Sequence, residues 1–207
     1  MLRLIRTLIE RSRCDGMISG SESILVWSRH PVAVTEARDA GEVSELPCIV
    51  FYGRGRIQWT DTQGLIVVTR QTVSAEYRTQ LRDKSIPTVW AGTGEYIDIP
   101  DALDQLGAGG SHRLALNGGG RINGTFARAG FVDELILVWA PILIGGTTTP
   151  TLVDAADLTY PTEISPLELL TAESTADGLL WPHYRVQRDT TNRRSPSRSA
   201  PTGRAGG

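Results

Sequence analysis

Three consecutive glycines, Gly118, Gly119 and Gly120, follow the apolar stretch Leu114-Ala115-Leu116 and Asn117, and lead straight into Arg121-Ile122-Asn123. Without Cβ atoms such residues accept positive φ and let another group approach the main chain closely. The chemistry available to this turn is anion binding, because a helix beginning near Arg121 points unpaired N–H groups and its positive dipole end at the same spot. A tight strand-to-helix turn with no ligand explains three glycines equally well. The run is not the G-x-G-x-x-G dinucleotide fingerprint, and no G-K-[ST] follows it, so it is not a Walker loop.

The elements that must position this turn are legible around it. Leu114 to Leu116, bounded by turn chemistry, reads as a buried strand. Ile122, Phe126 and Ala129 share one helical face, and Gly130 stands where a left-handed cap would end the helix. Leu135 to Leu143, interrupted by Pro141, reads as a strand buried on both faces and ending near a sheet edge. Strands alternate with helices through residue 145, which predicts an α/β fold whose mixed, mostly parallel sheet is flanked by helices. The Pro166 to Val186 hairpin then adds antiparallel strands at one edge. In such sheets ligands settle beyond the carboxyl ends of the strands. That rule gathers the glycine turn, Gly20 to Ser23, Gly53 to Arg56 and Thr69 to Gln71 around one crevice.

At 207 residues and 40% hydrophobic content the chain is one domain with enough apolar surface for a core. No apolar run approaches the ~20 residues that span a bilayer, and Leu135 to Ile144 is too short. Leu2, Ile5, Leu8 and Ile9 mark Met1 to Arg13 as a basic amphipathic helix without a cleavage-like end, so no signal peptide is expected. Cys14 and Cys48 have neither CxxC nor metal-ligand spacing and read as small buried residues on strands. The three histidines are scattered, His183 reads as strand surface, and no metal site is expected. These features suit a cytoplasmic enzyme. Residues 188–207 hold five Arg, one Asp and no aliphatic residue larger than alanine, for a net charge of +4 against −6 for the rest. This segment cannot bury a core and is expected to be a disordered basic tail; without interleaved aromatics it is not expected to bind nucleic acid.

Taken in order, Asn117-Gly118-Gly119-Gly120, Ile122-Asn123-Gly124, Ala129-Gly130-Phe131-Val132-Asp133-Glu134-Leu135, Ala140-Pro141 and Gly145-Gly146 form a specific pattern. It resembles the reductase domain of the riboflavin-biosynthesis deaminase/reductase family, which has a dihydrofolate-reductase-like fold. The resemblance covers about residues 2 to 187, taking in Cys14 to Ser23, Pro47 to Arg56, Val73 to Tyr77, Asp98 to Leu103 and Gly178 to Val186. Two departures stand out. Members of that family begin with a central strand carrying a Met-Ser-x-Asp-Gly-type segment. This chain starts at the amphipathic helix that comes next, so Met1 is either an internal start or the product of truncation. Asn117 replaces the usual Glu and offers a donor and an acceptor but no charge.

The resemblance implies that NADPH binds the crevice, with Gly20, Ser23, Gly53, Arg54, Thr69, Arg70, Gly118, Gly119, Gly120, Ile122 and Asn123 around it. The pyrophosphate would lie against Gly118 to Gly120 and the Ile122 and Asn123 amides, and the 2′-phosphate near Arg54, Arg56 or Arg70. Solvated surface is the alternative for each arginine. Asn117 is the implied catalytic position, and the implied reaction is hydride transfer to the ribosyl group of a ribosylaminopyrimidine 5′-phosphate, giving a ribitylamine. A homodimer through the late strands is implied as well. Two other readings stay open: a scaffold for nucleotides or partners that has lost turnover, and a reductase of another small carbonyl or imine.

Overall fold

The computed structural model describes residues 2–27, 32–33, 46–146, 148–158 and 164–187, the side chains of 2–6, 23, 26–27 and 32–33 excepted. The tail at 188–207 lies outside the described residues. In chain order the elements are α1 (Leu2–Arg11), β1 (Gly16–Gly20), α2 (Ser21–Trp27), β2 (Val32–Ala33), β3 (Cys48–Phe51), β4 (Trp59–Asp61) and β5 (Leu65–Thr69). There follow α3 (Ala75–Asp83), β6 (Thr88–Trp90), α4 (Ile99–Ala108), β7 (Leu114–Leu116), α5 (Gly120–Arg128), β8 (Glu134–Ile136), β9 (Leu167–Ser174) and β10 (Leu180–Val186).

Five strands form one parallel sheet in the order β6-β5-β3-β1-β7. The side-chain period of two divides each strand between two cores. Cys48, Val50, Leu65 and Val67 pack on one face with Ile24 of α2 and with Tyr77 and Leu81 of α3. Ile18, Ile49 and Val68 pack on the other with Ile99, Ala102 and Leu106 of α4 and Phe126 of α5. Burying a side chain such as Ile49 or Val68 stabilises the fold by roughly 1.5–3 kcal/mol. α3 and α4 begin as their sequences dictate. Ser74 accepts a hydrogen bond from the Tyr77 amide and Asp98 one from the Asp101 amide.

The antiparallel hairpin does not extend this sheet. β9 and β10 join β8 in a separate three-stranded sheet, ordered β8-β10-β9, so the expectation of added strands at an edge of the parallel sheet is corrected. Glu134, which opens β8, takes Arg113 from the residue before β7 and His183 from β10, each at 3.1 Å, and so ties the two sheets together. β7 ends the parallel sheet on one side, and β8 ends the antiparallel one.

The expected buried strand at Leu135 to Leu143 is also corrected. β8 stops at Ile136, a single bridge pairs Trp139 with Leu180, and Leu143 is fully exposed. Pro141 has no N–H with which to continue a ladder, and the chain leaves the sheet there. Ala129 is exposed rather than part of the α5 core face, while Gly130 takes the expected left-handed conformation at φ 74°. Cys48 is buried on β3 as read, but Cys14 is half-buried and precedes β1.

Candidate functional site

The chain order β1, β3, β5, β6 runs steadily across the sheet to one edge, and β7 then returns to the far side of β1. The order therefore reverses between β1 and β7. From these two strands the following helices depart to opposite faces, α2 carrying Ile24 into one core and α5 carrying Phe126 into the other. In open α/β sheets ligands bind beyond the carboxyl ends of the strands at such a point. Here the two main chains are joined, because the Asn117 amide donates to the Ile18 carbonyl at 2.9 Å and the Ser19 hydroxyl to the Asn117 carbonyl at 3.3 Å.

The glycine turn sits at that end of β7. Gly119 is the N-cap of α5, with φ −74° and ψ 172°, and no side chain caps the helix, in contrast to α3 and α4. First-turn N–H groups without a cap are suited to an anion. The other two glycines answer to the protein itself. A Cβ on Gly118 would stand 2.2 Å from Cγ2 of Ile122, and one on Gly20 would stand 3.2 Å from the same atom, so Ile122 fills the floor between them. A Cβ on Gly120 would stand 2.5 Å from the Thr151 carbonyl oxygen. Closeness to a ligand is thus not what removes the side chain at these three positions.

Asn123 acts as a staple. Its Nδ2 donates to the Gly118 carbonyl at 3.1 Å and to the Leu152 carbonyl at 3.0 Å, while its buried Oδ1 has no partner among the described residues. Residues 151–156 are strapped onto α5 by the Leu152 contact, by the Asp154 amide on the Gly120 carbonyl at 2.8 Å and by Arg128 on the Ala156 carbonyl at 2.6 Å. Asn117 directs its amide nitrogen toward Sδ of Met17 at 3.7 Å.

Further along the same end of the sheet, Gly53 follows β3 and Arg70 follows β5. Arg70 donates through Nε to the Gly53 carbonyl and through Nη1 to the Glu95 carbonyl, both at 2.8 Å, which clamps the loops after β3, β5 and β6 together. Arg54 and Arg56 are exposed beside that clamp. Thr69 is completely buried and donates its hydroxyl to the Tyr52 carbonyl at 2.8 Å. Gly20 ends β1, and Ser21 already begins α2 instead of a loop. The side chain of Ser23 lies outside the described residues.

Two residues escaped the sequence reading. Arg121, second in α5, donates to the carboxylate of Glu22, second in α2, at 3.0 Å. The available signal was a cation in the first turn of a helix, where the dipole favours an anion. Among the described residues no group of three or more His, Cys, Asp or Glu is placed to hold a metal ion, and no helix is long and apolar enough to cross a membrane.

Comparison with known proteins gives this geometry relatives. The family model described as the RibD C-terminal domain matches residues 6–180. The chain is 26% identical over 145 residues to the 2,5-diamino-6-ribosylamino-4(3H)-pyrimidinone 5′-phosphate reductase of Aquifex aeolicus, a match covering 69% of this chain and 64% of that protein. It is 29% identical over 175 residues to the protein of the same name from Methanothermobacter thermautotrophicus, covering 82% and 79%. The match to the Aquifex protein thus spans less than two thirds of that relative's length. Among solved structures, a pyrimidine reductase-like protein of Corynebacterium diphtheriae superposes with a TM-score of 0.67 at 21% identity, over 89% of this chain and 81% of that one.

Proposed function

The chain belongs to the RibD C-terminal domain family, and from that membership we propose that it is an NADPH-dependent reductase of the riboflavin-biosynthesis type. Its substrate in this reading is a ribosylaminopyrimidine 5′-phosphate, whose ribosyl group becomes ribityl. The relatives named as pyrimidinone phosphate reductases support the substrate class. The observation that carries the reading is the uncapped N-terminus of α5 at the reversal point of the sheet.

The residues present suit the cofactor. The amides of the first turn of α5 would take the diphosphate, and Arg54 and Arg56, exposed beside the Arg70 clamp, would take the 2′-phosphate. When bound, NADPH supplies the hydride, and the protein's task is to align donor and acceptor carbons and to keep water from between them. Within this reading Asn123 keeps the amide turn in shape, Ile122 supplies an apolar floor, and Arg70 fixes the height of the loops that present Arg54 and Arg56. Asn117 is the polar side chain proposed to face the substrate. With no charge it orients by hydrogen bonding alone.

The apolar side chains of Trp139, Ile142, Leu143 and Ile144 are exposed, and we place the contact of a homodimer there. A cytoplasmic location accompanies this assignment. A nucleotide-binding scaffold without turnover is the second reading, favoured by the approach of the Asn117 amide to the Met17 sulfur. Titration of purified protein with NADPH, followed by nicotinamide fluorescence, tests the first. Saturable binding is expected, and no binding at millimolar cofactor ends the assignment.

A further inference from the structure

β7 and β8 each have a neighbour on one side only, β1 and β10 respectively. The direction of the ladder bonds shows which backbone groups are left over. On β7 the Arg113 carbonyl and the Asn117 amide bond towards β1, so Ala115 between them faces β1 too, and the N–H and C=O groups of Leu114 and Leu116 point away from it. On β8 the Asp133 carbonyl and the Leu137 amide bond to β10, which leaves the backbone groups of Glu134 and Ile136 pointing outward. These outward groups have no hydrogen-bond partner among the described residues.

The two free edges meet at one end. Glu134 opens β8 and accepts from Arg113, the residue before β7, at 3.1 Å, yet no ladder joins the strands. Two strand spacings amount to about 9.5 Å, a separation that long arginine and glutamate side chains bridge, whereas a single spacing would have let the backbones bond directly. Side-chain burial agrees. β3, inside the parallel sheet, buries Cys48, Ile49 and Val50 completely, whereas Leu114, Ala115 and Leu116, no less apolar, are half-buried. Phe126 of α5 and Val132 pack in the same core as Leu114 and Leu116, so one face of this region is already covered. The charges stand at the end where Arg113 and Glu134 meet.

We propose that β7 and β8 flank one strand position, and that an extended, uncharged apolar segment of a separate polypeptide occupies it, bonding to Leu114 and Leu116 on one side and to Glu134 and Ile136 on the other. The five strands, the guest and the three strands then form one nine-stranded sheet. Strand addition to a single edge uses the guest's backbone groups on one side only. Here both sides are engaged at once, which neither a helix nor a small molecule can do. Leu114, Leu116 and Ile136 select apolar cross-strand neighbours, and a polar residue of the guest belongs beside Arg113 and Glu134. The other end of the position lies at Asn117, where the glycine turn begins.

The test adds to the intact chain a short peptide with a Val-Ile-Val-Ile-Val centre between pairs of lysines, and follows backbone amide exchange. Saturable binding is expected, with exchange slowed tenfold or more at Leu114, Leu116, Glu134 and Ile136. Two further peptides carry N-methyl groups on alternate central residues, one pattern blocking the donors on one side of the strand and the other pattern those on the opposite side. Both should fail to bind. Ile136→Pro deletes an outward donor of β8 without touching its ladder to β10, and should weaken the parent peptide about tenfold. Leu169→Pro makes the same change at an outward N–H of β9 and should leave affinity unchanged. Absence of binding at millimolar peptide overturns the proposal, as do the four amides being protected before any peptide is added, a methylated peptide that binds like the parent, and protection confined to β9. The methylated peptides act on the wild-type chain, so their outcome stands even if a proline variant fails to fold.

Discussion

The side-chain nitrogen of Asn123 lies 3.1 Å from the carbonyl oxygen of Gly118, so the helix that follows the glycine turn holds that turn closed with its own side chain. The same nitrogen holds Leu152. One residue thus couples the shape of the turn to the strap that lies over the helix.

Asn123→Ala removes both contacts and leaves two carbonyls without their donor. A loss of about 1–3 kcal/mol is expected from the unpaired groups, read as a lowered urea midpoint with an unchanged slope. Affinity for NADPH should fall with it. Asn123→Asp should be worse, since it places a carboxylate against the Gly118 and Leu152 carbonyl oxygens.

Gly124 has no room for a side chain. A Cβ there would stand 2.2 Å from the carbonyl oxygen of Asp154, a backbone atom that moves only if residues 151–156 move with it. Gly124→Ala is expected to detach the strap at a cost of about 1–3 kcal/mol, as overpacking does. Limited proteolysis checks this: new cleavage between residues 149 and 158, absent from wild type, is the expected outcome.

Tyr77 sets an alkaline limit. Its ring is buried against Tyr52, its hydroxyl accepts from the indole N–H of Trp59 at 3.2 Å, and burial raises its pKa from 10.0 to about 12. The folded state thus holds this proton more tightly than the unfolded chain does. The stability it contributes is complete below pH 10 and is lost as pH rises from 10 towards 12, by up to about 1.4 kcal/mol per pH unit. Tyr77→Phe should flatten that decline in an alkaline unfolding series while lowering stability at neutral pH through the lost Trp59 hydrogen bond.

Thr69→Val removes a hydroxyl that only the Tyr52 carbonyl receives. Stability should fall by about 1 kcal/mol while the NADPH dissociation constant stays unchanged. A weakened cofactor complex at unchanged stability would mean that Thr69 reaches the ligand after all.

Leu143→Glu bears on the proposed dimer. The side chain is fully exposed in the single chain, so the substitution costs the monomer nothing by burial. Light scattering should show a dimer for wild type and a monomer for the variant at equal thermal stability.

The parallel sheet, the alternation of helix and strand and the glycine turn were all legible in sequence because each rests on a local rule: apolar runs of strand length, apolar residues sharing one helical face as Ile122 and Phe126 do, and three residues without side chains. Ile122 as the reason for Gly20 was not legible, since the contact joins β1 to α5 across about a hundred residues. The apolar Leu135 to Leu143 run misled for the opposite reason. Composition states that a segment prefers burial, whereas Pro141 and the pairing of β8 with β10 decide how much of it is buried. Arg70 reads as a phosphate ligand by type, but its Nε and Nη1 donors go to the carbonyls of Gly53 and Glu95. Arg121 could have been singled out by asking which charge sits on the wrong end of a helix.

The antiparallel sheet ends on one side in β9, which is eight residues long and exposed along nearly all of its length. A free strand margin is a template on which another chain can stack. Eight residues offer such stacking several backbone bonds per molecule. Clouding at high concentration should therefore clear only slowly on dilution, and storage conditions for this protein are best chosen to limit crowding rather than to raise thermal stability.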